Sequence, residues 1–130
     1  MMDKIRLLIA DDHPVVRAGL RTLLAAEPDM EVVGEAVDGA SAVERALELE
    51  PDVVVMDLTM GEMDGLTATR EIVDRLPETK VVVLTMHANE EYLRQALQAG
   101  ATGYVLKEAV DTEIAVAINT KNQGLAGFQA

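Results

Sequence analysis

Short aliphatic runs alternate along this chain with stretches in which apolar residues recur every three or four positions. Ile5 to Ala10, Met30 to Ala36, Val53 to Met56, Lys80 to Leu84 and Gly103 to Leu106 are such runs, each bounded by turn or polar residues. Short apolar runs of this kind read as strands buried on both faces. Between them Val16, Leu20, Leu23 and Leu24 share one helical face after Pro14, a residue suited to the first turn. Pro28-Asp29 ends that helix, and Asp38-Gly39 reads as a turn. Ser41 to Leu49 reads as a second helix with Val43, Ala46 and Leu47 inward, and about Leu66 to Leu76 as a third, with Leu66, Thr69, Val73 and Leu76 in line. Glu90 to Ala99 follows with Leu93, Ala96 and Leu97 inward and Gly100 as its stop. Asp111 to about Gln123 is the last helix, and residues 124–130 read as a tail. Strand and helix thus alternate through the chain with short connections, the pattern of a parallel sheet with helices on both faces.

Composition narrows the class. The 130 residues fit one domain, and 49 % are hydrophobic, with two Tyr, one Phe and no Trp, so the core is aliphatic. Cysteine is absent, which excludes disulfides and thiolate metal sites. No apolar run approaches the roughly 18 residues of a membrane span, and the first residues lack the order of a signal peptide, so a soluble, cytoplasmic protein is expected. The formal charge of −12 repels a phosphate backbone and argues against direct nucleic-acid binding by this chain.

The polar residues at the strand ends carry the chemistry. Parallel strands bring their carboxyl ends to one rim, where open α/β sheets hold ligands. The first strand ends at Asp11-Asp12, the third at Asp57, the fourth at Thr85 and the fifth at Lys107. Each Asp alone could be a helix cap. Capping, however, needs neither a lysine nor a crowd of like charges. Clustered carboxylates either take up protons or hold a cation among them; a hard divalent cation with oxygen ligands fits this chemistry, Mg2+ when phosphate is also present. Thr85 and Lys107 suit phosphate oxygens, and Asp57 is the best placed nucleophile for an acyl phosphate. His13 and His87 could line the site or tune loss of the phosphoryl group but read more readily as solvated loop residues, Met56, Met60, Met63 and Met86 read as flexible packing, and Gly65 and Gly103 as backbone requirements.

These residues fall in a specific combination: Ile9-Ala10-Asp11-Asp12-His13, Met56-Asp57-Leu58, Met63-Asp64-Gly65, Leu84-Thr85 and Gly103-Tyr104-Val105-Leu106-Lys107. Over residues 4 to about 118 the chain resembles a receiver domain of the two-component response regulators. Asp12-His13-Pro14-Val15-Val16-Arg17 and Thr85-Met86-His87 resemble receivers of the LuxR/NarL type that precede a helix-turn-helix. The resemblance implies a flavodoxin-like five-stranded sheet in the order 2-1-3-4-5. It implies that Asp57 accepts a phosphoryl group from the phosphohistidine of a sensor histidine kinase, in a switch rather than an enzyme. It further implies Mg2+ on Asp12, Asp57 and the backbone carbonyl of Thr59, with Asp11 supporting through water. Lys107 would pair with the phosphoryl oxygens, Thr85 and Tyr104 would move in step, and a homodimer would form on phosphorylation. Residues 1–123 are then the receiver and 124–130 a tail without an output domain.

Three departures stand out. Gly61 occupies the place after Met60 where the family usually has Pro, Asn119 to Gln123 is unusually polar, and no helix-turn-helix follows. Two other classes fit less well. A haloacid-dehalogenase phosphatase needs a second Asp where Thr59 stands, and an FMN-binding flavodoxin needs a hydroxyl-rich phosphate loop where Asp11-Asp12 stands.

Overall fold

The computed structural model describes residues 4–58, 64–86 and 90–119. The expectations for Thr59, Met60, Gly61, Met63, His87 and the segment 120–130 lie outside these residues. The elements run β1 (Ile5–Ala10), α1 (Pro14–Ala25), β2 (Met30–Ala36), α2 (Gly39–Leu49), β3 (Val53–Asp57), α3 (Gly65–Arg75), β4 (Lys80–Thr85), α4 (Glu90–Ala99), β5 (Gly103–Leu106) and α5 (Val110–Asn119), with a 3-10 turn at Lys107–Ala109. The strands form one parallel sheet in the order β2-β1-β3-β4-β5, as expected for this class of fold.

Alternation along each strand divides the core into two layers, because successive side chains point to opposite faces. Leu8, Val54, Met56, Val81 and Val83 pack with Ala42, Ala46, Ala68, Ile72 and Ala96, so α2, α3 and α4 cover one face. Leu7, Ile9, Val55, Val82, Leu84 and Val105 pack with Leu20, Leu24, Ile114 and Ile118, so α1 and α5 cover the other. Every residue of β3 is buried. Full burial of a Val or Leu contributes about 1.5–3 kcal/mol, so the central strands supply much of the hydrophobic stabilisation.

Helix starts are set locally. Asp38 is the N-cap of α2, in a reciprocal capping box with Ser41: Asp38 Oδ1 accepts from the Ser41 amide at 2.7 Å, and the Ser41 hydroxyl oxygen accepts from the Asp38 amide at 3.2 Å. The Asp38-Gly39 pair is therefore a helix entry rather than a free-standing turn. Asp64 caps α3 through the Thr67 amide at 2.8 Å. At the other end of α2, the Arg6 guanidinium donates to the carbonyls of Leu49 and Glu50, tying that helix to β1.

Three helical faces differ from the periodicity reading. Leu47 and Leu97, expected inward, are 36 % and 40 % exposed. Each follows a buried alanine, Ala46 or Ala96, and so stands about 100° round the helix from the side chain nearest the sheet. In α3 the buried face is Gly65, Ala68, Thr69 and Ile72, while Leu66, Val73 and Leu76 lie at its edges. Small residues let each helix approach the sheet, and the larger apolar side chains flank the contact.

Candidate functional site

The carboxyl ends of β1, β3, β4 and β5 lie along one rim of the sheet, and the site is built from what each strand carries there. Asp57 ends β3 opposite Leu84 in the β3–β4 register and is 0 % exposed. The next residue, Leu58, continues toward β4 by donating its amide to the Leu84 carbonyl at 3.0 Å. Because Asp64, not Asp57, is the N-cap of α3, the capping explanation of Asp57 does not hold. A buried carboxylate without such a structural task carries a desolvation cost of several kcal/mol that its surroundings must offset.

Part of that offset comes from Lys107. Its Nζ lies 3.1 Å from Asp57 Oδ2 and 3.4 Å from Asp11 Oδ2. Lys107 is 13 % exposed and follows directly on β5, at the start of the 3-10 turn. Asp11 is as buried as Asp57. Its Oδ1 accepts the His13 amide at 2.8 Å, which folds the chain back between β1 and α1. Its Oδ2 is buried and receives no directed hydrogen bond among the described residues, so the Lys107 contact there is one of charge alone. Asp12 is more open, and its Oδ1 lies 3.0 Å from His13 Nδ1. His13 is the N-cap of α1 but makes no side-chain capping bond. Asp11 and Asp12 therefore do not serve as the cap of that helix either.

One ligand atom from each of Asp11, Asp12, His13 and Asp57 falls within 4.8 Å of the others. Three carboxylates against one ammonium leave an excess of negative charge in a small volume. The donor set and the unsatisfied Asp11 oxygen fit a divalent cation.

Thr85 and Tyr104 form the adjoining part of the rim. Thr85 ends β4, is 1 % exposed, and its hydroxyl hydrogen-bonds the Tyr104 phenol. Burial pushes the Tyr104 phenol above its ordinary range, and the Thr85 hydroxyl partly opposes this. Sequence reasoning placed Asp11, Asp12, Asp57 and Lys107 at one rim, and the structure brings them together; Thr85 stands beside them, bonded to Tyr104 on the neighbouring strand.

Two contributors stand apart from the residues expected to carry the chemistry. His13, for which the sequence favours a solvated loop over a place in the site, is 61 % exposed at its side chain, yet its ring turns to the carboxylates. Its position directly after Asp11-Asp12 was the available signal. Arg17, one turn into α1, donates Nη1–H to the Asp11 carbonyl at 2.8 Å while its Nε reaches Glu35 at 3.2 Å. It ties the β1–α1 turn to β2, which no spacing in the sequence announced.

Residues 7–119 match the model of the response regulator receiver domain. The chain belongs to the response regulator receiver family. It is 48 % identical over 122 residues to the oxygen regulatory protein NreC of Staphylococcus aureus, a match covering 92 % of this chain and 56 % of NreC. The receiver thus spans about half the length of the curated relatives it matches. Among solved structures, a LuxR-family two-component response regulator from Aurantimonas sp. SI85-9A1 superposes with a TM-score of 0.89 at 37 % identity, covering 96 % of this chain and 89 % of that one. The receiver domain of the putative response regulator NarL from Mycobacterium tuberculosis gives 0.85 at 37 % identity, covering 89 % and 94 %. The chain is accordingly a receiver of the NarL/LuxR type. No described helix is long and apolar enough to cross a membrane.

Proposed function

We propose that Asp57 is the phosphoacceptor of this receiver and takes a phosphoryl group from a phosphohistidine of a sensor histidine kinase. In that step a carboxylate oxygen of Asp57 forms the O–P bond as the N–P bond breaks, and the electron pair leaves with the imidazole. Asp12, Asp57 and the Thr59 carbonyl would hold Mg2+, with Asp11 supporting through water. When bound, the cation offsets the carboxylate charge and draws electron density from the phosphoryl oxygens. Lys107 stays close to Asp57 and neutralises the oxygens that arrive. Thr85 moves toward the new phosphoryl group, its bond to Tyr104 changes, and the two residues relay the charge on Asp57 to the surface near α4 and β5. The change of surface governs homodimerisation and whatever output domain the receiver works with.

On this reading residues 1–123 form the switch, residues 124–130 are a tail, and the protein acts in the cytoplasm as a phosphorylated switch rather than as a turnover enzyme. The single observation that carries it is the buried Asp57 carboxylate 3.1 Å from Lys107, inside a cluster of further carboxylates. Kinship with two-component regulators supports the kinase and the dimer as partners. Intact-mass measurement with a small acyl phosphodonor tests it: one phosphate adds in the presence of Mg2+, and Asp57→Asn abolishes the gain. Labelling that survives Asp57→Asn removes Asp57 as acceptor.

A further inference from the structure

β2 lends no side chain to the acidic rim, yet two of its residues hold the rim from behind. The Ala36 carbonyl accepts the Asp11 amide at 3.1 Å. Glu35, the residue before it, stands opposite Ile9 in the β1–β2 register and presents its carboxylate to α1. Its Oε1 accepts Nε–H of Arg17 at 3.2 Å, and its Oε2 accepts Nη1–H of Arg21 at 2.6 Å. The Arg17 Nη1 donates to the Asp11 carbonyl at 2.8 Å. One planar guanidinium therefore joins a carboxylate on β2 to the carbonyl of the peptide between Asp11 and Asp12.

That peptide governs where Asp12 points. A peptide unit is planar, so fixing its carbonyl also fixes its amide and the direction in which the next side chain leaves the backbone. Asp11 is held in other ways as well: it is buried, and its Oδ1 accepts the His13 amide. Asp12 is exposed, and so is its ion-pair partner His13. Exposed pairs hold a side chain weakly, which leaves the backbone to aim it. Arg17 and Glu35 are both partly buried, where a charge-assisted pair is short of freedom. We infer that Arg17, braced by Glu35, is a positioning residue for the cation site and holds the Asp11–Asp12 peptide so that the Asp12 carboxylate faces the pocket. The inference rests on Asp12 being a cation ligand, as in the proposed function. A guanidinium is required, because an ammonium is a point charge that cannot serve a carboxylate and a carbonyl in one plane.

Calorimetric titration of the full chain with Mg2+ tests it, for the wild type, Arg17→Met, Arg17→Lys, Glu35→Ala, the double variant Arg17→Met with Glu35→Ala and, as a control, Arg21→Met. Urea unfolding establishes that each variant is folded under the titration conditions; if Arg17→Met does not fold, Arg17→Lys and Glu35→Ala carry the test. Arg17→Met is expected to weaken Mg2+ binding by about 10-fold, the lower end of what partners that orient metal ligands contribute. Arg17→Lys keeps the charge without the fork and should retain most of that loss. Glu35→Ala should lose about 3-fold or more, and the double variant no more than Arg17→Met alone, because Glu35 acts through Arg17. Arg21 touches Glu35 but not Asp11, so Arg21→Met should stay within about 2-fold of the wild type. Labelling of Asp57 by a small acyl phosphodonor over a Mg2+ series gives a second readout. In Arg17→Met the half-saturating Mg2+ should rise about 10-fold while the rate at saturating Mg2+ stays within about 2-fold of the wild type. A role confined to folding would lower the urea midpoint and leave both Mg2+ readouts alone. Unchanged Mg2+ affinity in the folded Arg17 variants, full recovery in Arg17→Lys, additive losses in the double variant, or a lower limiting rate at unchanged half-saturating Mg2+ overturns the inference. If those results come with normal labelling of wild-type Asp57, the phosphoacceptor reading stands and only the role of Arg17 falls. A wild type that neither binds Mg2+ nor is labelled removes both.

Discussion

Lys107 and Asp57 stand 3.1 Å apart across the rim, although they close β5 and β3 and β4 runs between those strands. The long Lys107 side chain spans the intervening strand to reach a carboxylate that is wholly buried. Removing one partner of a buried pair leaves an uncompensated charge, at a cost of about 3–5 kcal/mol. Lys107→Met is therefore expected to lower the urea midpoint strongly at neutral pH without divalent cations, and added Mg2+ should recover a large part of the loss. Equilibrium unfolding with and without Mg2+ checks this; a midpoint unmoved by the substitution would show that the pair contributes nothing.

Gly65 fixes the distance between α3 and the end of β3. A Cβ there would lie 2.2 Å from the Asp57 carbonyl oxygen and 2.7 Å from Leu58 Cα, both backbone atoms that cannot rotate away. The Gly65 amide also donates to the Leu58 carbonyl at 3.0 Å. Gly65→Ala must push the helix off the strand, with an expected loss of about 1–3 kcal/mol or more and slower labelling of Asp57. Chemical denaturation and a labelling time course measure the two effects. Wild-type values for both would mean the contact relaxes freely.

Tyr104 links the rim to an alkaline titration. Burial holds the phenol above its ordinary value of 10.0, and the Thr85 hydroxyl pulls it partly back. Thr85→Ala removes that donor, so the Tyr104 midpoint should rise further, as followed by ultraviolet absorbance or by NMR of the ring. A folded value above the unfolded one gives a contribution that is full below about pH 10 and is lost as pH rises through the folded value. A Tyr104 midpoint that falls in Thr85→Ala would contradict the bond.

Much of this architecture was legible because its strands are unambiguous. Met30–Ala36 and Gly103–Leu106 have the bounds that their aliphatic runs and flanking turn residues suggest. The order of the strands came with the family resemblance rather than with periodicity, which cannot rank parallel neighbours. Helix faces were harder. Leu47 and Leu97 fit the inward spacing by residue type, but the closest approach to the sheet belongs to Ala46 and Ala96, and small size, not hydrophobicity, decides it. The entry to α5 also differs: β5 passes straight into the 3-10 turn Lys107–Ala109, which reverses the chain in fewer residues than an α-turn and places Lys107 at the rim.

For the site, strand ends alone placed Asp11, Asp57, Thr85 and Lys107 at one edge, because a parallel sheet leaves them nowhere else to go. The orientation of His13 and the tie from Arg17 to the Asp11 carbonyl were not readable. Both depend on how the β1–α1 turn closes on itself through the bond from the His13 amide to Asp11 Oδ1. Such local closure is a property of backbone geometry that residue spacing does not report.

The most direct measurement locates the phosphoryl group itself. An aspartyl phosphate is reduced by borohydride to homoserine, and tandem mass spectrometry of the digested protein then names the residue converted. After reaction with a small acyl phosphodonor and Mg2+, conversion is expected at Asp57 alone, and none when Mg2+ is withheld. Homoserine at Asp11 or Asp12 in place of Asp57, or equal conversion with and without the cation, would contradict the account.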